Sequence, residues 1–157
     1  MTVYYMAESL PEALQSLLIE EDEVNPQDTV PEDKNEWIPI FENLVRTGRL
    51  LIFYENNVAI LLRRQTAWVG IIDTKVGHAA STKDVIKTYK NFVAWAKEHS
   101  GYMKLETRTP FEKYGRVMAK ATGAILEGTR RCSYLTKENK MVDEYEYGVV
   151  LREELCL

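Results

Sequence analysis

The stretch DTKVGHAASTKD, residues 73 to 84, concentrates the residue types that hold an anion. Gly77, Ala79, Ala80 and Ser81 carry little or no side chain, so the backbone there can approach a ligand closely. Lys75 and Lys83 add positive charge, and His78 is a residue that can bind phosphate or shuttle a proton. The stretch follows the apolar run TAWVGIID and precedes an amphipathic pattern. A strand–loop–helix junction of this kind turns backbone N–H groups and a helix dipole toward negative groups. Ser81 followed by Asp84 also reads as an N-cap with a carboxylate at N3, which is what an ordinary strand–helix connection carries. The residues support both readings, a phosphate loop and a capped connection.

Other chemistries have less behind them. Cys132 and Cys156 are the only cysteines, with no CxxC pair and no Cys/His cluster, so no metal site is expected and a reducing compartment is. The net charge of −4 is unevenly spread: residues 1–45 carry eleven acidic side chains and one Lys, and the rest of the chain is net basic. That balance argues against a general nucleic-acid binder. It fits a solvated acidic surface, or an acidic rim that attracts a basic partner or an amine. The N-terminus MTVYYMAESL lacks the features of a signal peptide. The longest apolar run, VAILL, falls far short of the ~20 residues that span a bilayer, so a cytoplasmic chain is expected. A length of 157 residues suits one domain, residues 1–157.

The elements that must position these residues follow from periodicity. TVYYM (2–6) is β-prone. Ser9-Leu10-Pro11-Glu12 reads as a capping box opening a helix with Leu10, Ala13, Leu14, Leu17 and Leu18 on one face. The polar stretch EEDEVNPQDTVPEDKN predicts a long surface loop. A second helix is predicted over 36–47, with Trp37, Ile40, Phe41, Leu44 and Val45 inward and Gly48 as its C-terminal cap. Strands are predicted at 49–55, 58–64 and 66–73, the first two joined by Asn56-Asn57, residues that tolerate positive φ. A helix over 82–99 places Val85, Ile86, Tyr89, Phe92, Val93 and Ala96 on one stripe. A strand at 102–107, a helix at 110–122 with Phe111, Tyr114, Val117, Met118 and Ala121 inward, and strands at 124–134 and 144–152 complete the chain. The order β-α-α-β-β-β-α-β-α-β-β predicts an α/β protein with one mixed sheet flanked by helices.

That order resembles the GNAT superfamily of acyl-CoA N-acyltransferases over nearly the whole chain. The similarity is most specific in KATGAILEGTRRCSYLTKENKMVDEYEYGVVLR, where Gly123, Glu127, Gly128, Arg130 or Arg131, and Asp143 match the family's closing pattern. In size the chain is similar to small, divergent, phage-encoded members, some of which are virion or host-interaction proteins. The resemblance implies acetyl-CoA as donor and an amine acceptor, on a protein or peptide among others, which joins the absence of a membrane or nucleic-acid partner expected above from apolar run length and charge. It implies a backbone N–H near Val69, Ile71 and Ile72 that polarises the thioester carbonyl. Lys75, Gly77, His78, Ala79, Ser81 and Lys83 would hold the cofactor, with Gly77 and Ala79 matching the G-x-A half of the family's loop and Thr74 in place of its basic or amide residue.

Acetyl transfer also asks for a deprotonated amine and a proton for the leaving thiolate. Glu106 and Asp73, near the ends of their strands, are the candidate bases. The family's usual acid, a Tyr four residues before the helix-ending Gly, is Ala119 here, and Tyr114 reads as a core aromatic or a displaced acid. TRTP (107–110) stands where the family often has an Asn. These departures leave a second reading open: a catalytically inactive GNAT-fold virion or host-interaction protein, in a virion or in host cytoplasm. Pairing of two copies through EYEYGVVLR, or a partner protein at the acidic N-terminal face, completes the expectations.

Overall fold

The computed structural model describes residues 1–20, 33–136 and 138–156. Four strands form an antiparallel meander: β1 (Thr2–Tyr4), β2 (Leu51–Glu55), β3 (Val58–Arg64) and β4 (Val69–Val76). Asn56 and Asn57, at φ of 50° and 58°, make the tight β2–β3 turn that their residue type favours. Helix α3 (Thr82–His99) then carries the chain over to β5 (Lys104–Thr109), which lies parallel to β4, an arrangement that needs such a crossover. After α4 (Glu112–Thr122), β6 (Ile125–Leu135) and β7 (Met141–Val150) close the sheet in the order β1-β2-β3-β4-β5-β7-β6. Helices α1 (Glu12–Ile19) and α2 (Trp37–Arg46) lie between β1 and β2 in sequence.

Strand alternation makes two cores. Ile52, Ala59 and Leu61 face Leu14, Leu17, Leu18 and Val45 of α1 and α2. Phe53, Ile60, Leu62, Ile72 and Leu105 face Val85, Tyr89, Phe92 and Val93 of α3 and Met118 of α4. Residues Val58 to Leu62 are buried in succession, as expected of a central strand covered on both faces. Phe53 and Phe92 meet edge to face at 5.4 Å.

Several sequence expectations shift. The Ser9 capping box does not form: α1 starts after Pro11 without a side-chain cap. The strand predicted at 66–73 starts at Val69, because Thr66 Oγ1 accepts from the N–H groups of Trp68 and Val69 in a turn, and it runs on to Val76. Asp73 is therefore inside a strand, opposite Leu61 of β3, rather than at its end. In α4 the buried face is Gly115 and Met118, while Phe111 and Val117 are exposed. The Tyr147 ring lies against the bare Cα of Gly115 and turns that face inward. Most of the polar stretch 20–35 lies outside the described residues.

Candidate functional site

The sheet forks between β4 and β5. Their parallel pairing covers only Val69↔Lys104, Gly70↔Leu105 and Ile71↔Glu106. At the next position Thr107 Oγ1 donates to the Ile72 carbonyl at 3.0 Å, a side chain standing in for the ladder. Beyond it β4 follows β3 as far as Val58↔Val76, and β5 follows β7 as far as Thr109↔Tyr145. The fork opens a cleft of about 1660 Å³ that passes through the sheet, with α1 and α2 on one side and α3 and α4 on the other. Because main-chain groups alternate along a strand and Ile72 turns its carbonyl to the fork, those of Thr74 and Val76 also face the cleft.

The structure brings Ile71, Ile72, Asp73, Lys75, His78 and Glu106 to the cleft wall. Val69 lies in the paired part of the sheet, and Gly77, Ala79, Ser81 and Lys83 lie outside the wall, in the loop and first turn of α3. Ser81 caps α3: its hydroxyl accepts from the Asp84 N–H, and the Asp84 carboxylate accepts from the Ser81 N–H at 2.8 Å. The Ser81 hydroxyl also donates to the Asp84 carboxylate at 2.7 Å, and this bond, followed by that from the Ser81 N–H, holds the carboxyl below its ordinary value. The Gly77 N–H donates to the Asn57 carbonyl, the Ala80 N–H to the Gly77 carbonyl, and the His78 N–H to Glu20. Ala79, Thr82 and Lys83 keep their N–H groups without a partner among the described residues.

Both candidate bases sit in ion pairs. Asp73 is 3.4 Å from Arg63 in an exposed pair. Glu106 is 3.1 Å from Lys104, which also reaches Glu127 at 2.6 Å. The Glu127 hydrogen bond raises the Lys104 pKa, opposed by partial burial. Arg108 and Glu146 pair alongside at 2.9 Å.

Under the fork, the hydroxyls of Tyr89 and Thr74 are hydrogen-bonded, tying α3 to β4, and Tyr114 of α4 packs against the same core. Burial pushes both phenols up, Tyr114 strongly, so both stay protonated at neutral pH. Tyr114 is half-buried against the core that also holds Tyr89, and it lines the cleft. Ala119 lines the cleft with no acidic group. Sequence reasoning did not find Tyr89, Thr107, Lys104 or Glu20. The periodicity of α3 marks Tyr89 as core, and the others acquire a role only through partners distant in the chain. Among the described residues no cluster could hold a metal, no helix is long and apolar enough to cross a membrane, and Cys132 and Cys156 are free and exposed.

No protein-family model matches the sequence, and no curated protein matches it significantly. Solved structures do. A mutant spermidine N-acetyltransferase from Vibrio cholerae superimposes with a TM-score of 0.73 at 10% identity, over 99% of this chain and 96% of the other. The ribosomal-protein-S5-alanine acetyltransferase of Vibrio fischeri gives 0.66 at 9% identity, over 95% and 91%. A GNAT-family acetyltransferase from Streptococcus pneumoniae gives 0.65 at 15% identity, over 88% and 90%. At such identities the likeness speaks for architecture, and together with the forked sheet it assigns this chain the fold of the GNAT acetyltransferases.

Proposed function

We propose that the chain is an N-acetyltransferase that takes its acyl group from acetyl-CoA and passes it to an amine, on a peptide or protein or on a smaller molecule. The observation that carries this is the fork: β4 leaves β5 after Ile71↔Glu106 and turns the main chain of Thr74 and Val76 to an open cleft. An extended amide-bearing arm can pair with such an edge as a strand would. The chain therefore fits the pantetheine part of the donor, with β4 holding it. Bound there, the donor supplies an acyl thioester. The chain's own part is to fix that arm, exclude water from the cleft and take a proton from the acceptor.

Glu106 is the better-placed base of the two. It stands at the vertex of the fork, and Lys104 engages one of its oxygens, leaving the other for the proton. Asp73 is the more exposed of the two. The measurement is release of free thiol from acetyl-CoA with a panel of amines and peptides. Glu106→Gln should lower kcat by about a hundredfold or more, as removal of a general base does, with donor affinity unchanged. Full activity in that variant removes Glu106 as base. Absence of thiol release with every acceptor would favour the second reading, a GNAT-fold virion or host-interaction protein without chemistry. Ala119 on the cleft wall, in place of the family's Tyr, is the observation on that side.

A further inference from the structure

We infer that this chain grips its donor by the thioester arm alone, and that the loop between β4 and α3 gives the donor's pyrophosphate no net hold. The inference rests on the acetyltransferase reading above and narrows its donor. Four of the five N–H groups of residues 77–81 are engaged within the chain, and only that of Ala79 has no partner among the described residues. Gly77 donates to Asn57, Ala80 to Gly77, His78 to Glu20 and Ser81 to Asp84. Two of these four acceptors are carboxylates, one toward each end of the loop.

Glu20 reaches from the end of α1 and takes both the backbone N–H and, at 3.0 Å, the ring Nε2 of His78. Asp84 turns back onto the N–H and hydroxyl of Ser81. A pyrophosphate laid along residues 77–81 would have to displace the Glu20 carboxylate and would then stand beside that of Asp84. Like charges that close oppose binding. The partnerless N–H groups of Thr82 and Lys83 belong to the same helical turn as Asp84, so its carboxylate already answers the helix dipole there.

The small residues of the loop do not require a ligand either. A Cβ on Gly77 would fall 2.1 Å from Asn57 Nδ2, so the glycine makes room for a side chain of the β2–β3 turn. Among the described residues, the arm's part of the cleft has no such internal occupant beyond Ile72, whose carbonyl Thr107 caps. The main chain of Thr74 and Val76 remains turned to the fork.

The test compares acetyl-CoA with S-acetylpantetheine, which lacks the nucleotide, by titration calorimetry on the full chain. The expected affinities differ by less than about tenfold. A loop giving two charge-assisted hydrogen bonds to the pyrophosphate would favour acetyl-CoA by about a hundredfold or more. A preference for acetyl-CoA above tenfold overturns the inference and leaves the acetyltransferase reading standing. Failure of both thioesters to bind at millimolar concentration overturns the inference and the acetyltransferase reading together. Glu20→Gln should tighten acetyl-CoA severalfold and leave S-acetylpantetheine unchanged. An unchanged acetyl-CoA affinity in that variant would remove Glu20 from the explanation.

Discussion

Replacing Gly77 by Ala separates two reasons for a glycine at the end of β4. The new Cβ would lie 2.1 Å from Asn57 Nδ2, 2.5 Å from its Cγ and 2.8 Å from its Oδ1. Non-bonded carbon contacts settle near 3.5–4.0 Å, so the methyl and the amide cannot share this space. The two backbones are held in place, so the Asn57 amide at the end of its side chain must turn aside. The Gly77 N–H is bonded to the Asn57 carbonyl at 2.9 Å, and Asn57 sits at φ of 58° in a tight turn. Overpacking of this kind costs about 1–3 kcal/mol. A value of ~2 kcal/mol lowers Tm by about 4–8 °C in a chain of this size.

Asn57→Gly removes the clashing atoms at a position where positive φ suits glycine. In that background Gly77→Ala should be neutral, or stabilising by roughly 0.4–1 kcal/mol through the unfolded chain. The four proteins of the cycle, measured by urea and thermal unfolding, should show a coupling of about 2–3 kcal/mol. Effects that add to within ~0.5 kcal/mol would refute the reasoning and return the glycine to a ligand-binding role.

The remaining predictions concern the two helices that flank the fork. Because Ser81 holds the folded-state pKa of Asp84 below its ordinary 3.8, its stabilisation is complete above that value and is lost as pH falls through the lower folded-state value. Asp84→Asn should therefore lower Tm at neutral pH, with the gap closing as the pH drops below about 4; a gap that does not change with pH would contradict this. Gly115→Ala should destabilise by about 1–2 kcal/mol, against the ~1 kcal/mol that Ala gains in an open helix, because its Cβ would lie 2.4 Å from Tyr147 Cε2. Tyr147→Leu in the same chain should restore most of the loss in thermal melts, and a fully stable Gly115→Ala would show that α4 does not depend on this contact.

Much of the architecture was legible because it rests on local chemistry. The stripe of Val85, Tyr89, Phe92, Val93 and Ala96 fixed a helix and its buried face. Asn56-Asn57 fixed a turn, Ser81 and Asp84 a cap, and Gly48 and Gly123 took the positive φ expected of residues that end helices. Each depends on neighbours within a few positions, so its signal is present in the chain itself. The buried face of α4 was misread because Gly115 carries no apolar side chain; its burial comes from Tyr147, on a strand far along the sequence.

The sequence by itself determined the element order, the caps and turns, and the small-residue loop of residues 77–81. Only the tertiary structure decided where β4 leaves β5, since that point depends on Thr107 reaching the Ile72 carbonyl. It also decided that Lys104 stands between Glu106 and Glu127, and that Glu20 meets His78 across fifty-eight positions of chain. Loop residues show which ligands a backbone can approach. Whether its N–H groups are free to receive one depends on acceptors brought in by other elements, and no local pattern carries that.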